Sequence, residues 1–444
     1  MFMCGKRMLL RLRGSIFKTL FGILLVISVR HVYMSYDVKP DHDYPVLIWW
    51  TTTFHGAGGM SKNLRCKNND ICEFTNELER RYHQSTEGFL FYGSDFDYLN
   101  LPLPRDARKY IWALLHEESP RNTPIIQHEP SLQLFNYSST ISRYSDVPLT
   151  LQHLDNLEDL LTDKYFVSTA AKNSLLTNKL APILYIQTDC ETSSYRDSYV
   201  KELMKYISVD SYGQCLNNKK LPDNLGGDYL NNLNSEPFLN FVARYKFTIS
   251  FENAICEDYI TEKLWRPLVV GSVPIYMGSP SIRDWLPNDQ SVIIADNFES
   301  PKILASFIQY LNMHNDQYES YLQHKLSKKI TNIRLIKALQ ERRWKPEATF
   351  SSPYYESSIH AFECFVCEKV YERRRNKDFK HSLVDQSHYN CPKPKLPSYT
   401  SVPQGDRWWV DQWDVQKKKA AYLHKLVVQE NKDNFTEADI SNFI

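Results

Sequence analysis

The chain is 444 residues long, with 42% hydrophobic and 24% charged side chains. Those shares exclude a mostly disordered or fibrous chain, and the length suits two or three domains of about 100–200 residues each. Net charge is +1, so no basic excess points to a nucleic-acid partner.

The charge is uneven. Residues 1–18 hold Lys6, Arg7, Arg11, Arg13 and Lys18 and no acid, so the rest carries 48 basic against 52 acidic side chains. An apolar run, Leu20 to Val29, follows and stops at Arg30 and His31. Alone it is shorter than the roughly 20 residues that span a bilayer. Counted from Leu9, with Arg11, Arg13 and Lys18 snorkelling, it is long enough. No small-x-small cleavage site follows it. The reading is a cytosolic tail over 1–18, an uncleaved signal anchor over 19–34, a stem over 35–43 and a luminal remainder. A cleaved secretory signal is the alternative. A short anchor suits the thin membranes of the ER or Golgi.

In the first half, Tyr44 to Thr51 reads as a buried strand and leads into a loop with Gly56, Gly58 and Gly59. Gly88–Tyr92 and Tyr110–Leu115 read as strands, and Leu132–Phe135 as a shorter one. Residues 155–178 are polar and helix-like. The second half starts near Lys179, with strands predicted over Ala181–Gln187, Phe247–Phe251, Ser272–Tyr276 and Ser291–Ala295. Helices are predicted over Asp197–Ile207, Pro301–Leu311 and Asp316–Ile330, and an exposed loop over Asp223–Pro237. Residues 346–400 are looser, and Gln416–Glu430 is a basic helical run. Such alternation argues an α/β fold with mainly parallel sheets: one domain over 44–178, another over 179–345, and a Cys-containing extension over 346–444.

Nine cysteines less Cys4, which precedes the anchor, leave eight, a number suited to disulfides in an oxidising lumen. Cys66 and Cys72 lie close in sequence, as do Cys364 and Cys367; Cys190 and Cys215 are further candidates. Cys256 and Cys391 either pair or leave one thiol free. A four-thiolate zinc site is the structural rival. Asn136 and Asn434 open N-glycosylation sequons.

The most informative stretch runs from Lys246 through Pro267 and on to Pro280. It reads strand, polar turn, helix, strand, with Glu257 and Asp258 as caps of a helix beginning near Tyr259. A parallel sheet puts such a turn where α/β proteins bind ligands. Free N–H groups at the helix start, with Lys263 beside Tyr259 on one face, suit a diphosphate. Arg196, at the start of another helix, is a second cation for the same anion. His116-Glu-Glu-Ser-Pro120 ends a strand at a sheet edge. Alternation sends Glu117 and Glu118 to opposite faces, so one of them is the candidate general base. Asp95 and Asp97 have spacing that could hold a divalent cation on a nucleotide diphosphate. No phosphate loop and no His-Glu-x-x-His occurs.

Phe251-Glu-Asn253, Asp258-Tyr-Ile-Thr-Glu-Lys263 and Gly271-Ser-Val-Pro-Ile275 resemble the donor-site signature of the α1,3-fucosyltransferases. The Glu-Ser-Pro segment, the Cys-x-x-Cys and the long tail resemble the divergent animal branch numbered ten and eleven. The resemblance implies a GT-B fold, with two Rossmann-like domains and GDP-fucose held mainly by the second. It implies inversion at the sugar with no metal or other cofactor. By motif, Glu118 matches the acid that deprotonates the acceptor hydroxyl, with Glu117 as its alternate. Arg196 and Lys263 match diphosphate-binding cations, and Glu252, Asn253, Tyr259 and Glu262 fall among the donor-binding residues. Cys66, Cys72, Cys364 and Cys367 match positions that tie the C-terminus to the first domain, in a pairing left open. The acceptor is a GlcNAc of a glycan or a Ser/Thr of a folded protein domain. The rivals are a metal-dependent transferase using Asp95 and Asp97, and a non-catalytic glycan- or protein-binding module of the ER.

Overall fold

The computed structural model describes residues 44–51, 61–225, 234–345, 357–376, 378–399 and 407–441. The tail, anchor and stem readings, and the loop with Gly56, Gly58 and Gly59, lie outside them. Among the described residues no helix is long and apolar enough to cross a membrane.

Six strands build the first sheet: β1 Val46–Trp49, β2 Ser61–Arg65, β3 Ile71–Thr75, β4 Thr86–Tyr92, β5 Ile111–His116 and β6 Tyr137–Thr140. Their order is β2-β3-β1-β4-β5-β6, and every pairing is parallel except β2 on β3. Strands β1 and β5 are buried at every position, as a parallel sheet covered on both faces requires. The run Leu132–Phe135 is not a strand. A short helix over Glu129–Leu132, opened by Pro130, consumes its start, and the strand forms at β6 instead. Strands β2 and β3 escape an apolar-run reading because β2, at the sheet edge, buries none of its residues fully.

The second sheet holds β7 Ile183–Gln187, β8 Val209–Gly213, β9 Phe247–Phe251, β10 Val273–Met277 and β11 Ile293–Ile294, in the order β11-β10-β9-β7-β8. All its pairings are parallel. Helices α1 Thr169–Thr177, α2 Arg196–Leu203, α3 Glu236–Ala243, α4 Glu262–Val270 and α5 Pro301–Met313 accompany it. The predicted helix over Asp316–Ile330 breaks into short turns at Asn315–Glu319 and Gln323–Leu326. Strand β8 carries buried polar side chains. Asp210 accepts bonds from the Ala181 amide (3.2 Å) and the Tyr245 hydroxyl (3.1 Å), so no apolar run marks it.

Two helices of the C-terminal region, α6 Ser358–Arg375 and α7 Trp408–His424, complete the core of the first sheet. Strand residues alternate between faces. Leu47, Trp49, Ala113 and Leu115 share a core cluster with Phe362, Val366 and Val370 of α6. Ile48, Phe89, Trp112 and Leu114 share another with Ala420 and Leu423 of α7. Buried Glu363 accepts the Trp49 indole N–H at 2.8 Å and pairs with Lys62 at 3.0 Å. The two thiol pairs cross rather than closing locally: Cys66 bonds Cys364 and Cys72 bonds Cys367, which locks α6 to the β2–β3 hairpin. Cys190 bonds Cys215, and Cys256 bonds Cys391, so all eight thiols are consumed without a zinc site.

The sequon reading of Asn136 is corrected. Its side chain is 1% exposed; Oδ1 accepts the Trp112 amide at 2.9 Å and Nδ2 donates to the Ser382 carbonyl at 3.1 Å. A glycan on Nδ2 would displace that packing. Asn434 is exposed.

Candidate active site

Strand β9 runs into the turn 252–261 and then into α4. The turn depends on Asp258, which takes a left-handed backbone (φ 61°). Its carboxylate accepts Arg143 Nε at 2.8 Å, Ser281 Oγ at 2.6 Å and Trp285 Nε1 at 2.8 Å. Burial alone would raise this carboxyl, but the Arg143 and Ser281 bonds outweigh it and hold its pKa low. Asp258 is therefore a turn anchor. The helix begins at Glu262, with Thr261 as its cap. Tyr259 precedes it, so the predicted start near Tyr259 is corrected.

Glu252 is fully buried beneath this cap. It accepts the Thr261 amide and hydroxyl, both at 2.8 Å, and lies 3.7 Å from Lys263 Nζ. Burial pushes its pKa up to about 7. Its bonding capacity is used inside the fold, so it positions the start of α4 instead of lining the cleft. Lys263 also reaches Thr261 Oγ1 at 3.1 Å and Glu262 at 3.3 Å. Burial alone would raise the Glu262 carboxyl, but Lys263, Arg266 and His153 hold it below the ordinary range.

Strand β5 delivers the facing acids. His116 is buried between Ser94 Oγ (3.1 Å) and Tyr389, and burial lowers its pKa to about 3, so it is neutral. Glu117 takes the Tyr92 hydroxyl, on the first domain's own side. Glu118 crosses to the other half, where its Oε2 accepts the Tyr259 hydroxyl at 3.0 Å. Ser119 crosses too, donating to Asn253 Oδ1 at 3.0 Å. Burial raises the Glu118 pKa against the opposing pull of Lys263 and the Tyr259 bond. A carboxyl poised high beside a cation is suited to proton abstraction.

Arg196 opens α2 as the spacing predicts, but it is only 1% exposed. Its guanidinium donates to the Phe251 carbonyl at 3.1 Å and to the Asp189 carbonyl, and its charge is felt at Lys263. Arg196 is thus buried against the last residue of β9, within the field of Lys263. His153, in the field of Glu262, Lys263 and Arg266, is a neighbour that no sequence signal marks.

A cavity of about 540 Å³ opens at the C-terminal ends of β9, β10 and β11; Glu118, Arg196, Tyr259 and Lys263 do not line it themselves, but residues near them in the chain do. Pro120, Tyr195, Ala254 and Asp296 line it, together with residues 391–399. That volume is within the range of small-molecule sites, and the position is where open parallel sheets take ligands. Asp95 and Asp97 border a separate cavity of about 240 Å³ in the first half, with Trp50 and Phe91. Asp97 accepts the Leu99 amide at 2.9 Å. Among the described residues no group of three or more His, Cys, Asp or Glu could hold a metal ion.

Residues 176–385 match the C-terminal domain of glycosyltransferase family 10 (fucosyltransferase). A Gallus gallus protein, "GDP-fucose protein O-fucosyltransferase 3", is 42% identical over 417 residues, 91% of this chain and 84% of the relative. The chain belongs to glycosyltransferase family 10. A Homo sapiens relative of this fucosyltransferase, with the same name, is 41% identical over 408 residues, covering 89% and 82% of the two chains. A solved α1,3-fucosyltransferase with GDP-fucose is 17% identical over 67% of this chain and 80% of that one, with a TM-score of 0.38. The family 10 match spans Arg196 and the whole β9–α4–β10 unit. It ends before Tyr389, the Cys391–Tyr399 segment and α7.

Proposed function

We propose that this fucosyltransferase moves L-fucose from GDP-fucose to a serine or threonine hydroxyl of a protein, with inversion and without a metal. The observation that carries the reading is the convergence of Glu118, Tyr259 and Lys263, contributed by two halves of the chain. Glu118, aimed by the Tyr259 hydroxyl, takes the acceptor proton as the acceptor oxygen attacks fucose C1 from the face opposite the leaving group. The bond from C1 to the phosphate oxygen breaks, and GDP leaves with the electron pair. Lys263 and the first amides of α4 stabilise the charge that develops on the diphosphate, and Arg196 adds positive potential. A preorganised site of this kind acts most strongly where water is excluded.

Three further points belong to this reading. The two mainly parallel sheets form a GT-B pair, with the donor seated on the second. The relatives' printed name supports a protein acceptor over a GlcNAc. The basic tail and apolar run anchor the enzyme in an ER or Golgi membrane, with the catalytic part in the lumen, where its four disulfides are stable. The test is mass spectrometry after the full-length enzyme, in detergent, is incubated with GDP-fucose, secreted protein domains and GlcNAc-terminated glycans. Fucose on Ser or Thr is expected. Transfer to the glycans alone would overturn the protein acceptor, and no transfer with GDP still bound would favour a binding module.

A further inference from the structure

The segment Cys391–Tyr399 lies outside the family 10 match, which ends at residue 385, yet it forms one wall of the cavity at the site. It is held at several points. The Cys256–Cys391 disulfide ties it to the loop after β9. Lys393 pairs with Asp414 of α7. The Tyr399 ring meets Tyr199 edge-on, 5.1 Å between centroids. Helix α7 is itself pinned there, with Trp409 Nε1 donating to the Glu191 carbonyl at 2.7 Å. The segment is a strap fixed across the pocket.

One end of that pocket is polar without being satisfied. Tyr199 of α2 is 5% exposed and lines the cavity, and its hydroxyl has no hydrogen-bond partner. A buried hydroxyl left unpaired is destabilising, and a ligand acceptor would offset that cost. Asp296, just beyond β11, also lines the cavity, and its charge acts on Tyr199. Burial and then the Asp296 charge raise the Tyr199 phenol; burial, Tyr199 and Asp296 raise Tyr399. The opposite charge in the field of Asp296 is Lys395 of the strap. A carboxylate acceptor beside a hydroxyl donor matches one edge of guanine, which offers N1–H and an amino group next to the O6 carbonyl. Adenine and the pyrimidines lack that order of groups.

We propose that the strap completes the base-recognition end of the donor pocket: Asp296 accepts guanine N1–H and N2–H, Tyr199 donates to O6, and Lys395 and Tyr399 position them. The assignment rests on the GDP-fucose reading above. Burial raises the Asp296 carboxyl and the Lys395 charge opposes that rise, while the Tyr399 ring packs edge-on against Tyr199. The segment beyond the family match is thus part of the specificity for the donor.

The experiment is calorimetric titration of the full-length enzyme with GDP and with inosine diphosphate, which lacks the amino group. The wild type is expected to bind GDP about tenfold more tightly than inosine diphosphate, the worth of one hydrogen bond to a charged group. Asp296→Asn should bring the ratio near one, and Lys395→Ala should narrow it. Lys263→Ala should weaken both nucleotides alike and keep the ratio. Lack of discrimination by the wild type, or a ratio unmoved by both Asp296→Asn and Lys395→Ala, overturns the strap assignment alone. Nucleotide binding untouched by Lys263→Ala overturns the donor-site reading itself. Thermal melts of Asp296→Asn and Lys395→Ala check that each is folded, and Tyr199→Phe, which removes the hydroxyl and keeps the ring, should weaken GDP and inosine diphosphate alike.

Discussion

Replacing Glu118 by Gln separates proton abstraction from everything else this residue does. Gln has the same shape, and its amide oxygen can still accept the Tyr259 hydroxyl now held at 3.0 Å. That bond, worth about 0.5–1.5 kcal/mol, is retained. The Ser119–Asn253 bridge at 3.0 Å does not involve the Glu118 side chain. Burial raises the Glu118 pKa in the folded protein. Its contribution to stability is therefore present below the unfolded-state pKa and lost as pH rises through the folded one. At neutral pH the ionised group is at its least favourable, so Glu118→Gln should melt no lower than wild type. GDP affinity should hold within about twofold, since a neutral amide still faces Lys263. Transfer should fall by about 10²–10⁴, the usual worth of a positioned base. The acid limb of the wild-type rate profile should lie above an ordinary carboxylate and be missing in the variant. Stopped fucose transfer, calorimetry and thermal melts measure these quantities. Transfer within tenfold of wild type, or GDP affinity lost in parallel with rate, would refute the assignment. Glu117→Gln, at the acid that takes the Tyr92 hydroxyl, should transfer normally.

Lys263→Ala should cut transfer by about 10²–10³, because it removes a cation from where charge develops on the leaving group; turnover at the wild-type rate ends the diphosphate argument. It should also lower the melting temperature, since buried Glu252 loses the ammonium 3.7 Å away. Transfer should persist in excess EDTA. Activity abolished by chelation and restored by magnesium or manganese would return the role to Asp95 and Asp97. Glu252 has its pKa raised from 4.5 to about 7 by burial, so the fold favours its protonated form. Its stabilisation should be complete below pH 4.5 and lost as pH rises through about 7. The melting temperature of wild type relative to Glu252→Gln should therefore fall across that window, and a flat difference would show that the carboxyl is not buried in solution.

The β9–α4–β10 unit was legible in the sequence because its information is local. An apolar run, a polar turn and a helix with Glu262 and Lys263 in its first turn are adjacent in the chain, and the hydrophobic pattern and cap chemistry act over a few residues. The same holds for Arg196 at the start of α2 and for most strands. Edge strand β2 and the polar strand β8 were not legible, since neither presents an apolar run. Partnership across long separations was not legible either. Glu118 meets Tyr259 across 141 positions, and Ser119 meets Asn253 across 134. Which of two adjacent acids crosses, that Arg196 is buried against the end of β9, and that Glu252 holds a cap are decided by packing.

The sequence by itself determined the kinds of groups present and the short-range order that brings an anion site to the start of α4. Only the tertiary structure decided that α6 and α7 cover both faces of the first sheet, that the thiols cross to α6, and that the segment after Cys391 walls the pocket. The physical reason is that burial and pairing depend on distances in space. Those distances follow from how all the apolar faces are covered at once, and no stretch of the chain specifies them alone.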